Sequence, residues 1–284
     1  MEIIVGKTAG FCYGVKRAVE GAIEELKNNE DIFCLGEIVH NKQVINNLES
    51  KGMRFINFLE ESKGITIIRA HGVPKETYKL AEKKNIRIKD FTCPNVLKIH
   101  DLAEEYSKNG YYIFLCGSGS HPENIGTISY CGEKCSIIEN EEYVHTALEE
   151  FCKSNFKKIL LIAQTTYSLR RFENIKRKIS SSLNSNIELV VKNTICRATE
   201  LRQKETMELS KNVDYMIILG GKNSSNTKKL YEIAKEQCAN SVCIETEVEL
   251  NIEEIKDLSK IGIMAGASTP QESIDKVVKK IKES

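Results

Sequence analysis

The stretch Lys192-Asn193-Thr194-Ile195-Cys196-Arg197-Ala198-Thr199 ends a short apolar run at 188–192 and opens a helical pattern at 198–211. A strand that passes through a cysteine turn into a helix is the unit that decides the fold, because the chain contains it three times. Phe91-Thr92-Cys93-Pro94 joins the run 87–90 to helical spacing over 97–108, and Pro94 suits a first helical position. Gly10-Phe11-Cys12-Tyr13-Gly14 joins 2–5 to 15–28. The three cysteines lie close to a third of the chain apart. Further Ile, Val and Leu runs fall at 31–38, 65–70, 111–116, 135–139, 158–163, 214–220 and 261–265. They alternate with helical patterns at 42–51, 75–84, 169–183, 227–238 and 271–282. Such alternation predicts an α/β protein whose mainly parallel sheets are covered by helices on both faces. In sheets of this kind, sites form beyond the carboxyl ends of the strands. Three similar modules, each aiming one cysteine turn inward, would bring three thiols together.

Length and charge narrow the function classes. The 284 residues exceed one ordinary core and suit modules of roughly 90–150 residues. A composition of 41% apolar and 29% charged residues excludes a disordered chain. Forty-one Lys and Arg against forty Asp and Glu give a net charge of +1, which argues against binding nucleic acid through its phosphates. No apolar stretch approaches the about 20 residues needed to span a bilayer, and no signal peptide is visible, so a cytoplasmic protein without membrane contact is expected. Ten cysteines in that compartment are read as free thiols rather than a disulfide framework.

Cys12, Cys93 and Cys196 each precede a helix, where backbone N–H groups and the helix dipole favour thiolate. Cys34 and Cys116 lie inside apolar strands, and Cys152 and Cys238 are placed on helices. Cys243 sits in a short apolar run. Cys131 and Cys135 form a C-x3-C pair without the second pair a zinc site takes. Three thiolates leave one open metal position, which suits catalysis. A [4Fe-4S] cluster with one exposed iron and a zinc ion with a bound water both satisfy the spacing.

The strand-end turns carry groups for a multiply charged anion. His40, His71 and His121 follow apolar strands, the last two beside glycine and proline. His100 and His145, on helical stretches, read as packing or surface residues. Gly220-Gly221-Lys222-Asn223-Ser224-Ser225-Asn226-Thr227 brings hydroxyls and an amide to a helix start, without the spacing of a Walker A loop. Gln164-Thr165-Thr166 and Ala265-Gly266-Ala267-Ser268-Thr269-Pro270 offer further hydroxyls. Glu123, two residues beyond His121, is the carboxylate placed inside such a turn, and a buried anion beside it would raise its pKa. The parts point to a metal-dependent reaction on a small phosphate ester.

These motifs, together with Val15-Lys16-Arg17-Ala18, His40-Asn41, Ala70-His71-Gly72-Val73 and His121-Pro122-Glu123, closely resemble in their order those of the 4-hydroxy-3-methylbut-2-enyl diphosphate reductases. These are iron–sulfur enzymes of the methylerythritol phosphate route to isoprenoids. The resemblance implies a trefoil of three α/β modules around one central [4Fe-4S] cluster per chain. Its modules would span 13–92, 93–192 and 193–284, with the N-terminal strand 1–12 packed onto the third. It implies Cys12, Cys93 and Cys196 as the cluster ligands. Carried over position by position, His40, His71, His121, Thr165, Thr166, Ser224, Ser225, Asn226 and Ser268 would bind the substrate. Glu123 would donate a proton, with Thr165 and His121 as its catalytic neighbours.

The implied reaction is reductive dehydroxylation of the allylic diphosphate to isopentenyl and dimethylallyl diphosphate. Two electrons pass through the cluster, whose open iron binds the substrate hydroxyl. Ferredoxin or flavodoxin is the implied donor, because no flavin or nicotinamide motif is present. Three positions depart from the family's pattern: Phe91 where alanine is usual, Ser120 where glycine is usual, and Met264 where a small or hydroxyl residue is common. Two other classes stay open at this level. One is a hydratase or dehydratase using the same open iron without net reduction, the other a non-catalytic iron–sulfur or zinc regulator.

Overall fold

The computed structural model describes residues 1–29, 31–132 and 134–283. Glu30, Glu133 and Ser284, each inside one of the expected modules, lie outside the described residues. The first third of the chain runs β1 (Glu2–Val5), α1 (Tyr13–Asn28), β2 (Ile32–Leu35), α2 (Lys42–Ser50), β3 (Arg54–Ile56), β4 (Ile65–Ile68), α3 (Lys75–Lys83) and β5 (Arg87–Asp90). Next come α4 (Pro94–Lys108), β6 (Tyr112–Cys116), α5 (Pro122–Ile128), β7 (Cys135–Ile138), α6 (Tyr143–Cys152), β8 (Lys158–Ala163), α7 (Leu169–Ser182) and β9 (Glu188–Val191). The last part holds α8 (Arg197–Ser210), β10 (Tyr215–Leu219), α9 (Ser225–Gln237), β11 (Ser241–Ile244), β12 (Lys260–Ala265) and α10 (Gln271–Lys282).

The strands form three four-stranded sheets ordered β3-β2-β4-β5, β7-β6-β8-β9 and β11-β10-β12-β1, and every pairing is parallel. The same order recurs in each sheet, with the first strand inside, the second at one edge and the fourth at the other. In the third sheet the fourth place is taken by β1, with Glu2 opposite Lys260 and Val5 opposite Ile263. The chain thus begins with the strand that completes its last sheet. Each cysteine turn follows the fourth, edge strand of a sheet. The histidine and hydroxyl turns follow the two inner strands, between which the chain reverses direction across the sheet, the crevice where α/β sheets place their ligands.

Two compact units share these sheets. One comprises Met1–Glu20, Val39–Lys51 and Arg197–Ser284, and contains the third sheet. The other comprises Gly21–Ile38 and Gly52–Cys196, and contains the first two. Strand burial explains why the inner strands read as continuous apolar runs. In the second sheet Tyr112, Phe114, Leu161 and Ala163 face Phe151 of α6 and Phe172, Ile175 and Ile179 of α7. Alternate residues Ile113, Leu115, Leu160 and Ile162 face Ile99 and Ala103 of α4. In the third sheet Ile217, Leu219, Ile261 and Ile263 meet Ile274, Val277 and Ile281 of α10, while Met216, Ile218 and Met264 meet Leu230 and Ala234 of α9. Both faces are dry, so periodicity two disappears from the sequence.

The sequence pattern omits β3, β11 and α5, whereas the helical placement of His145 and Cys152 matches α6. β3 has three residues and α5 seven, too short to carry a pattern, while β11 is a four-residue edge strand around Cys243 that the sequence shows as a short apolar run. The expected strand 31–38 contracts to Ile32–Leu35, since Gly36 takes φ +71° against the Arg69 side chain. Cys238 lies just past α9 and not within it.

Candidate functional site

Each turn cysteine is held by its backbone at the start of a helix. In the two-sheet unit, Cys93 is the N-cap of α4 and its N–H donates to the Ala70 carbonyl at 3.0 Å. The Cys196 N–H donates to the Thr165 carbonyl at 3.0 Å, and its Sγ accepts the Asn95 side-chain amide at 3.1 Å. In the other unit the Cys12 N–H donates to the Ala267 carbonyl at 3.1 Å. The loop ahead of Cys12 is clamped by two residues one turn apart on α8. Arg202, 3% exposed, donates to the carbonyls of Thr8 at 2.8 Å and Gly10 at 2.7 Å. Glu205 accepts from the N–H groups of Lys7 and Thr8.

The remaining thiols sort differently. Cys34, Cys116, Cys131 and Cys238 are buried, and burial pushes the Cys34 thiol up to about 12 and raises that of Cys116. The Cys34 and Cys116 thiols therefore stay protonated, and all four buried cysteines pack as small apolar groups. Cys12, Cys93 and Cys196 are half-buried, and none of the ten cysteines, all among the described residues, is in a disulfide. Soft donors at accessible helix starts suit an iron–sulfur group better than the enclosed thiols do.

Glu123 is 2% exposed on α5, whose N-cap is His121. Its Oε1 accepts the Thr165 N–H and its Oε2 the Thr165 hydroxyl, both at 2.6 Å. Burial raises its pKa from 4.5 to about 7, against the two Thr165 hydrogen bonds, which pull it down. The acid therefore holds or releases its proton near neutral pH, as a general acid must. His121 Nδ1 accepts the Glu123 N–H at 3.2 Å, and the His71 ring stands edge-on to His121 with centroids 5.4 Å apart. Asn124 donates to the Gln164 side chain at 3.0 Å, and Gln164 donates to the Thr166 hydroxyl at 2.8 Å, so one amide pair fixes the Thr165-Thr166 turn.

Beneath the His71 turn lies His100, stacked on Tyr130 at 4.4 Å with neither ring nitrogen hydrogen-bonded. Burial pushes its pKa down to about 4, so it packs as a neutral ring. Gly72, at φ +73°, passes close over it, and a Cβ there would lie 3.0 Å from His100 Cε1. His145 is exposed and pairs with Glu149 on its own helix.

In the other unit, Ser224 caps α9, and Ser225 and Asn226 form its first turn. Asn226 is 3% exposed, yet among the described residues neither its amide nitrogen nor its oxygen has a partner. A buried amide left so costs about 1–3 kcal/mol, which a bound polar group would recover. The Ser268 hydroxyl donates to the His40 carbonyl at 3.3 Å, and a Cβ on Gly221 would strike the same carbonyl. The 40, 221 and 268 turns thus close on one another. Asn41 serves locally, capping α2 through Gln43 and Val44.

Two of the three departures have matching neighbours. The Phe91 ring fills the space where a Cβ on Gly21 would sit, and Met264 does the same at Gly6. Sequence reasoning missed Asn95, Arg202 and Glu205. Their partners are remote in sequence, and the one available hint was the position of Asn95 two residues beyond Cys93.

A family model described as LytB protein matches residues 3–282. The chain belongs to the LytB family. Relatives named 4-hydroxy-3-methylbut-2-enyl diphosphate reductase include one from Alkaliphilus oremlandii, 41% identical over 99% of both chains. Another, from Caldanaerobacter subterraneus subsp. tengcongensis, is 43% identical over 99% of this chain and 97% of its own. Among solved structures, a reductase described as the terminal enzyme of the non-mevalonate pathway is 40% identical, with TM-score 0.72 over the whole of both chains. The reductase from Plasmodium falciparum is 32% identical with TM-score 0.88, over 98% of this chain and 87% of that one. The three parallel sheets are therefore the LytB fold. No helix among the described residues is long and apolar enough to cross a membrane.

Proposed function

We propose that this LytB chain reduces 4-hydroxy-3-methylbut-2-enyl diphosphate to isopentenyl and dimethylallyl diphosphate. The observation that carries the reading is full-length similarity, at about 40% identity, to proteins named for that activity. Cys12, Cys93 and Cys196 hold one [4Fe-4S] cluster. When bound, it supplies electrons one at a time and an iron able to act as a Lewis acid. His40, His71, His121, Ser224, Ser225, Asn226 and Ser268 hold the diphosphate, and the unpartnered Asn226 amide supports that role. Holding the charged end at fixed turns orients the allylic alcohol and excludes water from it. Glu123 passes its proton through the Thr165 hydroxyl to the departing oxygen, and Thr166 lines the same pocket. The pinned carboxyl and its raised pKa support this assignment. A cytoplasmic setting and a one-electron donor of the ferredoxin or flavodoxin type belong to the same proposal. The recurring strand order supports modules at 13–92, 93–192 and 193–284, with β1 completing the third.

Anaerobic oxidation of a reduced viologen dye by reconstituted protein tests the reading. Oxidation that requires the allylic diphosphate is expected, whereas substrate turnover without electron uptake would move the chain to the hydratase class. Iron analysis tests the cysteine assignment. Cys93→Ser is expected to lose iron, and Cys34→Ser, at an enclosed protonated thiol, is expected to retain it. Equal iron in both variants would overturn the sorting.

A further inference from the structure

Asn95 occupies the second position of α4, directly after Pro94 and two residues beyond Cys93. Its side chain crosses to a different turn, where Nδ2 lies 3.1 Å from Cys196 Sγ in a half-buried setting. Both ends of this contact are fixed by backbone. The Cys93 N–H is tied to Ala70 and the Cys196 N–H to Thr165, so both turns that carry the amide and the sulfur are anchored by backbone. The chemistry sets the amide's orientation. A thiolate sulfur only accepts, so the NH2 group points at it and the carbonyl oxygen points away.

We propose that Asn95 is a positioning residue that tunes the cluster's reduction potential through its N–H donated to the Cys196 sulfur. The proposal rests on the reading that Cys196 is a cluster ligand. An electron added to a thiolate-bound cluster increases negative charge on the sulfurs. A donor aimed at one of them therefore stabilises the reduced form more than the oxidised form and raises the potential. The contact also links the turns of Cys93 and Cys196, so one side chain serves both the position of a ligand and its electron density. In this chain the strength required of the external electron donor is set in part by an uncharged residue that touches neither substrate nor iron.

The test is an anaerobic redox titration of reconstituted protein, read by the paramagnetic signal of the reduced cluster, with iron and sulfide measured on each sample. Asn95→Leu keeps the volume and removes the donor. Asn95→Asp keeps the shape and replaces the donor with a negative charge. Both are expected to retain the wild-type iron content and to titrate at more negative potential, aspartate further than leucine. At the dye potential that half-reduces the wild type, the reduced-to-oxidised ratio in Asn95→Leu should fall about threefold or more, which is about 28 mV for a one-electron couple. Asn95→Ser supplies the same comparison without bulk if leucine crowds the turn. A full iron complement with an unchanged midpoint overturns the proposal. Absence of iron and sulfide from the reconstituted wild type would instead overturn the cluster reading beneath it, so the two failures are distinguishable.

Discussion

Replacing Glu123 by glutamine is expected to leave the iron content unchanged and to lower turnover by about 10²–10⁴-fold, the usual scale for loss of a positioned general acid. The carboxamide keeps the shape of the group. Its oxygen can still accept the Thr165 N–H, and its NH2 can donate to the Thr165 hydroxyl, so the 2.6 Å pair of contacts survives with one direction reversed. What disappears is the transferable proton. Turnover equal to the wild type would remove Glu123 from the chemistry.

The same substitution has a stability signature. Below pH 4.5 the carboxyl is protonated in both the folded and unfolded chain and contributes no pH dependence. Between 4.5 and the folded value of about 7, the native state keeps a proton that the unfolded chain has lost. Stability therefore falls as pH rises through that window, by about 3 kcal/mol in all, and the cost is fully present above pH 7. Glutamine does not titrate. Urea midpoints compared at pH 4.5 and pH 8 should show the variant gaining on the wild type as pH rises. A constant difference would mean that Glu123 is not buried as an acid.

Arg202→Met is expected to be the most destabilising of these substitutions. It leaves the carbonyls of Thr8 and Gly10 enclosed without their donor, at about 1–3 kcal/mol each. Because those carbonyls belong to the loop that leads into Cys12, the variant should also lose iron more readily on reconstitution. Glu205→Gln removes half of the clamp's charge-assisted contacts and should fall between it and the wild type. Arg54→Ala, which breaks an exposed ion pair with Asp31, serves as the control and should change stability by less than about 1 kcal/mol. A urea midpoint for Arg202→Met no lower than that of the control would show that the loop holds itself.

Much of the site is legible in the sequence because each part is local. A cysteine between a strand and a helix, a histidine beside Gly72 or Pro122, and Ser224 ahead of a helical pattern each announce themselves within a few residues. The burial of Cys34 and Cys116 also follows from local pattern, since an apolar strand encloses them whatever the strand pairs with, whereas Cys135 and Cys243 are half-buried like the turn cysteines. The raised pKa of Glu123 is different. The local sequence places it in a turn, but its burial comes from α5, a helix of seven residues too short to carry a periodic signal, and from Thr165 in a distant turn.

The sequence by itself determined the alternation of strands and helices, the three cysteine turns and the inventory of polar strand ends, because backbone propensity and apolar patterning act over a few residues. Tertiary structure alone decided the register in which β1 pairs with β12, that His100 is enclosed as a neutral ring, and which partners Arg202 and Asn95 find. Those outcomes join residues far apart in the chain. Their energies come from burial and hydrogen bonding between elements, and these terms exist only once the sheets have assembled.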